Sequence, residues 1–299
     1  MIHIPILRHG EPYKSLDVAR EITGVKKVNT LGFCVGGTLL SSTLAVLAAK
    51  AKQKATSMTL LTTLLDFSDT GELGNLVSED SVKAREATLG RGGVLEGKEL
   101  GLVFSMLRSS DLIWQYVANS YLKGKSPPAF DMLYWNADSA NLPGPMYCWF
   151  IRNTYLENNI KEPGKTIQCG VPVDLGKIGL PAFLYASRED HIVPWGSAYA
   201  ATQLLSGDNT FALGASGHIA GVINAPAKNK RNYWIDGKLD RDAAGWLETA
   251  QSIPGSWWTA WSKWLARHAG SKVPARTPLG NEKYRPVEPA PGRYVRQKA

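Results

Sequence analysis

An α/β fold on a parallel sheet follows from three features of the sequence. An apolar strand pattern (Val28, Leu31, Phe33) runs into a small-residue helix pattern from Gly36 to Lys52. A second apolar run, Ser57 to Phe67, comes after that helix. Short apolar strands resume at Leu180 to Ala186 and Thr210 to Leu213, beyond a long stretch without strand alternation. Strand–helix–strand is the unit of a parallel sheet, and an apolar run bounded by polar residues reads as a strand buried on both faces.

Taken in order, residues 1–13 read as irregular, with Pro5 and Gly10-Glu11-Pro12. Ser15 caps a short helix to about Ile22 (Leu16, Val18, Ala19 and Ile22 at helical spacing), closed by Gly24. Lys26 to Phe33 is the strand before the first turn, and Gly36 to Lys52 suits close packing on a sheet. From about Asp69 to Gln168 the pattern changes to helical pieces: Ser78 to Leu89, Leu95 to Met106, Ser110 to Leu122 and Pro143 to Asn158. This stretch reads as a cap inserted between sheet strands, or else as a separate helical domain. Pro181 at the entry of the strand at 180–186 is tolerated there. Ser197 to Leu205 reads as a helix, and Thr210 to Leu213 as the last short strand. Trp257, Trp258, Trp261 and Trp264 fall at helical spacing and read as the buried stripe of a C-terminal helix. From Lys272 the chain is a tail rich in Pro, Arg and Gly. The expected divisions are 1–68 and 171–271 for the two parts of the core, 69–170 for the insertion and 272–299 for the tail.

Composition narrows the function classes. Hydrophobic residues make up 44% and charged residues 20% of 299 residues, enough to bury a substantial core. No stretch approaches the ~20 consecutive apolar residues of a membrane span, and residues 1–5 lack the pattern of a signal peptide. Cys34, Cys148 and Cys169 form no disulfide framework, suit a reducing cytoplasm, and lack zinc-site spacing. The net charge of +8 is spread along the chain, and the densest run, Lys228 to Arg231, holds three charges. That argues against nucleic acid and leaves a surface attractive to a small anionic substrate.

The chemistry centres on Gly32-Phe33-Cys34-Val35-Gly36, a Gly-x-Cys-x-Gly between strand and helix. This is the context of a nucleophile elbow. The apex residue needs a strained backbone, so its neighbours must be small, and glycines at 32 and 36 meet that need. A thiol at a helix N-terminus is favoured as thiolate. Taken alone, the motif is equally a tight turn with a buried cysteine. Downstream, Asp190 and His218 each follow a strand, in the chain order nucleophile, Asp, His. In an open parallel sheet all three loops lie along one edge. His218 would take the thiol proton and Asp190 would hold the imidazole. Singly, Asp190 could be a helix cap and His218 a surface residue; three residues in the right order are hard to explain by coincidence. His191 is a competing base, but sits too close to Asp190 in the chain to reach Cys34.

These residues carry a family resemblance. Leu31 to Thr38, Leu61-Thr62-Thr63-Leu64-Leu65-Asp66-Phe67, Ser187 to Trp195 and Leu213 to Asn224 resemble a class I polyhydroxyalkanoate synthase. So do Tyr134-Trp135-Asn136, Asn141 to Pro145 and the tail from Glu288 to Tyr294, and the match runs from about residue 15 to the end. The resemblance implies an α/β-hydrolase core with a helical cap. It implies a 3-hydroxyacyl-coenzyme A substrate and a growing polyester chain held on Cys34. His218 would activate Cys34, and Asp190 would orient His218 or activate the incoming 3-hydroxyl. The backbone N–H of Val35 would be an oxyanion donor. Arg108 and Lys123 are candidates for the coenzyme A phosphates. No metal and no bound organic cofactor is implied. A homodimer and a cytoplasmic granule surface are the implied partners.

Two departures accompany the resemblance. Family members carry several hundred residues before the cysteine, and this chain carries 33. The early strands and the loop that gives the second oxyanion donor would then be missing, and losing one such donor costs ~10²–10³ in rate. Gly90-Arg91-Gly92-Gly93 also looks abbreviated. The expectation is a catalytic-domain fragment or truncated homologue with all three site residues and weak or no activity. A thioesterase or hydrolase on the same fold, and a non-catalytic homologue that associates with a full-length synthase, remain the alternatives.

Overall fold

The computed structural model describes residues 14–107, 109–126, 138–240, 242–277 and 279–297. The irregular stretch expected over 1–13, Arg108 and the Tyr134-Trp135-Asn136 motif lie outside the described residues. The chain forms two compact units, Met1–Val77 with Ile151–Arg285, and Ser78–Phe150 with Pro286–Ala299.

In the first unit, helix α1 (Lys14–Thr23) ends where Gly24, at φ 75°, returns its N–H to the Arg20 carbonyl. Strand β1 (Val28–Phe33), helix α2 (Val35–Ala49) and strand β2 (Ala55–Leu61) follow. β1 and β2 are parallel, with Gly32 beside Leu60 and Phe33 beside Leu61. β2 stops earlier than its apolar run suggests. Thr62 takes a left-handed backbone (φ 43°), yet Leu64, Leu65 and Phe67 stay buried. The apolar run therefore marks burial beyond the strand rather than the length of the strand.

The second unit holds helix Glu79–Leu89, strand β3 (Val94–Leu95), helix Gly97–Leu107, and strand β4 (Leu142–Pro143) paired antiparallel with β3. Ser78 and Ser81 close a reciprocal capping box at the first helix. Helix Gly144–Ile151 leads back into the first unit. The stretches expected as plain helix over Ser110–Leu122 and Pro143–Asn158 are partly wound as π-helix, over Ser110–Trp114, Val117–Leu122 and Arg152–Leu156.

The first unit then resumes with a small hairpin. β5 (Ile167–Gln168) and β6 (Val171–Pro172) flank Cys169 and Gly170, both at positive φ, the backbone a two-residue hairpin turn needs. β7 (Ala182–Ser187) is buried along its whole length, and β8 (Asn209–Gly214) follows. The helix expected over Ser197–Leu205 is two short ones, Trp195–Tyr199 and Ala201–Leu204. β8 is not the last strand. β9 (Asn232–Ile235) and β10 (Gln251–Pro254) extend the sheet, whose order is β1-β2-β7-β8-β9-β10. The first four strands are parallel and the last two run antiparallel to their neighbours.

Phe183 and Tyr185, two residues apart on β7, share one face of the sheet. Trp257 stacks on Tyr185 with ring centroids 4.1 Å apart, and Trp264 lies 5.5 Å from Phe183. The tryptophan stripe is thus core, carried on helix Trp258–Ala266. Its indoles also do polar work. Trp257 and Trp258 donate to the carbonyls of Gly221 and Val222 (3.1 and 2.8 Å), and Trp261 donates to Thr59 Oγ1 (3.0 Å). Elsewhere in this unit, Arg276 donates to the Ile22 carbonyl, Asn281 to the Glu21 carbonyl, and Lys283 pairs with the Glu21 carboxylate. These contacts clasp α1, none of whose residues is buried.

Candidate active site

Cys34 stands between β1 and α2 at φ 53°, ψ −125°, a conformation that costs a non-glycine residue of order 1–3 kcal/mol and persists only where the surroundings impose it. The surroundings are tight. A Cβ on Gly32 would lie 2.5 Å from Gly37 Cα, and one on Gly37 would overlap the Thr63 side chain. Gly36 is a correction to the motif reading, because a Cβ there meets nothing within 4 Å. A helix turns ~100° per residue, so it is Gly37, not Gly36, that faces the chain leaving β2. Cys34 N–H donates to Leu61 O (2.9 Å), tying the elbow to β2.

Val35 opens α2 and is 46% exposed. As the first helical residue its N–H has no intrahelical carbonyl to bond. It therefore stands one residue from the thiol with its amide free of the helix ladder.

Asp190 follows β7, and its buried carboxylate accepts three hydrogen bonds. Oδ2 lies 2.6 Å from His218 Nδ1, and Oδ1 accepts the N–H groups of Ile192 and Val193, both at 2.9 Å. The two loops are knitted together beneath this contact: Arg188 N–H donates to Gly214 O and Glu189 N–H to Ser216 O. His218 is not in a loop as expected but opens the short helix His218–Val222, capped by Gly217. Phe33 packs against its ring, centroids 5.3 Å apart. Burial pushes the imidazole's pKa down, but hydrogen bonds to Asp190 and Cys34 and the neighbouring negative charge outweigh it and raise it to about 9. With Nδ1 committed to Asp190, Nε2 is the nitrogen left for Cys34. The structure thus places Cys34, His218 and Asp190 at the carboxyl ends of β1, β8 and β7, with His218 bonded to Asp190 and its titration influenced by Cys34. Lys123 is exposed just after the π-helical stretch Val117–Leu122 of the second unit.

The sequence reading missed Tyr155. Burial first, and the charge of Cys34 second, raise its hydroxyl's pKa, so it stays protonated beside the thiol. Phe67 meets its ring edge-on at 5.1 Å. Phe67 is in turn fixed by Asn158 Oδ1, which accepts its N–H at 2.9 Å. Asp66 gathers Ser68, Asn158 and Lys161; burial would raise its carboxyl's pKa, but these hydrogen bonds lower it below the ordinary value. No spacing signal pointed to Tyr155, because it lies on a stretch read as part of the helical insertion.

A buried carboxylate, an imidazole of raised basicity and a thiol on a strained turn are the parts of nucleophilic acyl transfer. The family description "alpha/beta hydrolase fold" matches residues 13–225, more than half of the chain, and the protein belongs to that family. Among individual proteins, it is similar to the poly(3-hydroxyalkanoate) polymerase subunit PhaC of Cupriavidus necator, with 56% identity over 291 residues, 96% of this chain and 49% of that one. It is 42% identical over 288 residues to the corresponding subunit of Rhizobium meliloti, covering 95% of this chain and 46% of the relative. The chain spans about half the length of the curated relatives it matches. A solved monoacylglycerol lipase from Paleococcus ferrophilus aligns over 70% of this chain and 68% of its own, at 16% identity and a TM-score of 0.39. No helix among the described residues is long and apolar enough to cross a membrane.

Proposed function

We propose that the chain transfers 3-hydroxyacyl groups from coenzyme A thioesters to the hydroxyl of another such unit, building a polyester. The observation that carries this reading is the Asp190–His218 hydrogen bond with the strained Cys34 turn beside it, in a protein 56% identical to a poly(3-hydroxyalkanoate) polymerase subunit. Cys34 gives its proton to His218 Nε2, and its sulfur attacks the thioester carbonyl. The N–H of Val35 stabilises the oxyanion. The carbon–sulfur bond to coenzyme A breaks, and the leaving sulfur takes the proton from the imidazolium. Then the 3-hydroxyl of a second hydroxyacyl-CoA attacks the Cys34 thioester. His218 takes the hydroxyl proton, an ester bond forms, and the Cys34 sulfur leaves and is reprotonated. Thiol-for-thiol exchange is nearly balanced in energy, so the acyl group stays activated until an alcohol accepts it. Asp190 holds the imidazole rather than the substrate hydroxyl, since its carboxylate is buried and already accepts three hydrogen bonds. A homodimer and attachment to a polyester granule are part of the same reading. So is a cytoplasmic setting, with no cofactor beyond the coenzyme A of the substrate.

The test is coenzyme A release from 3-hydroxybutyryl-CoA, with Cys34→Ala beside it and the product analysed. Release that depends on Cys34 and gives polymer is the expected result. Free acid as the product would make the chain a thioesterase. No release from folded protein, with binding to a full-length polymerase, would make it a non-catalytic associate.

A further inference from the structure

We infer that Thr63 and Thr38 are positioning residues that hold the Cys34 backbone in its strained conformation, two hydroxyls bonding across the gap in opposite directions. The inference rests on the proposed role of Cys34 and deepens it. Thr63 Oγ1 sits in the space left by Gly37 and faces two carbonyls, Leu61 O at 3.1 Å and Cys34 O at 3.3 Å. Thr38, on the first turn of α2, donates back to Leu64 O at 2.8 Å. Both threonines are buried. The segment after β2 and the turn at Cys34 are therefore stitched together on both sides of the nucleophile.

Thr62 explains how Thr63 reaches its place. It is fully buried, left-handed at φ 43°, and its own hydroxyl has no hydrogen-bond partner among the described residues. A β-branched residue with positive φ is a true outlier, and a buried hydroxyl without a partner is a further cost. Its N–H donates to Tyr185 O at 2.7 Å, which anchors the reversal to β7. The reversal ends β2 and turns Thr63 toward the carbonyl of Cys34. Two strained residues, Cys34 and Thr62, thus face each other at the ends of adjacent strands, and the Thr63 hydroxyl spans them. Backbone strain of this kind is retained at functional sites where neighbours over-determine it.

The experiment measures alkylation of Cys34 by iodoacetamide, resolved by peptide mass spectrometry from Cys148 and Cys169, in Thr63→Val and Thr63→Ser. Thr43→Val serves as control, since Thr43 bonds only within its own helix, to Leu39 O. Loss of the hydroxyl at unchanged shape is expected to slow Cys34 alkylation about fivefold. Thr63→Ser restores the rate, and Thr43→Val leaves it unchanged. Wild-type alkylation in Thr63→Val, or a serine variant no better than the valine, overturns the inference. Should Thr63→Val not fold, Thr38→Val carries the same expectation and the same refutation. Coenzyme A release separates the two ideas: a Cys34→Ala protein that still releases coenzyme A overturns the proposed function and leaves the alkylation result standing.

Discussion

The nucleophile and the base are held by different physics. Around Cys34 the restraint starts from close backbone packing: missing side chains at Gly32 and Gly37 let strand and helix approach, and two threonine hydroxyls hydrogen-bond across what remains. Around His218 the restraint is polar and aromatic. A carboxylate with both oxygens engaged fixes one edge of the ring, Phe33 packs against the ring, and two indole N–H groups hold the carbonyls at the end of its helix. A crowded turn tolerates no added atom, whereas a hydrogen-bonded base loses function in steps as donors are removed.

The comparison is broken most sharply at Asp190. Asp190→Asn keeps the shape but removes the charge that favours the imidazolium, and single-turnover coenzyme A release is expected to fall by about 10³–10⁴. The pH dependence follows from the raised pKa of His218. In the wild type the imidazolium that protonates the leaving sulfur persists up to about pH 9, so release declines as pH rises through that value. The variant's decline moves down toward the ordinary 6.5. Stability carries the same sign. His218 holds its proton more tightly folded than unfolded, so its contribution is fully present below about pH 6.5 and is lost as pH rises through about 9. Thermal unfolding of the variant against wild type at pH 6 and above pH 9 should show a gap that closes. A gap that widens with pH would refute the assignment.

The steric side is tested next. Gly32→Ala puts a methyl onto the α2 backbone and should cost about 3 kcal/mol or more in urea unfolding. Gly36→Ala meets open space and should be neutral, or stabilising by less than about 1 kcal/mol. Equal costs at the two sites would refute the view that the elbow is crowded on one side only. A smaller loss than at Gly32 is expected behind the base. Trp257→Phe keeps an aromatic in the core but removes the N–H that the Gly221 carbonyl accepts, at a cost of about 1–3 kcal/mol. Its coenzyme A release should fall as well, because the helix carrying His218 loses a tether.

The parallel half of the sheet was legible because its strands are apolar and its turns carry chemistry. Asp190 and His218 each follow a strand with a buried run, whereas β1 before Cys34 buries only Thr30 and Gly32 and is legible from its glycine motif. The antiparallel half was not legible. β9 is Asn232-Tyr233-Trp234-Ile235 and β10 is Gln251-Ser252-Ile253-Pro254, four residues each. Runs so short are set by pairing, β9 with β8 and β10 with β9, rather than by their own pattern. Gly36 was credited with Gly37's role because a motif counts residues, whereas packing depends on where a helix turns its faces. Thr62 left no trace, since a β-branched residue argues against the left-handed turn it adopts. The π-helical winding at 110–122 and 152–156 likewise has no marker in residue type.

The clasp from Arg276, Asn281 and Lys283 to Glu21 and Ile22 spans some 254 to 262 residues of chain. Contacts that distant in sequence close the longest loops, and the entropy of closing them must be met before they return anything. The Lys283–Glu21 pair is exposed, and exposed pairs return little. So the clasp belongs late in folding and early in opening. During synthesis, α1 waits for more than 250 residues to emerge before the tail can secure it, and in the folded protein its amides should be among the first to exchange with solvent.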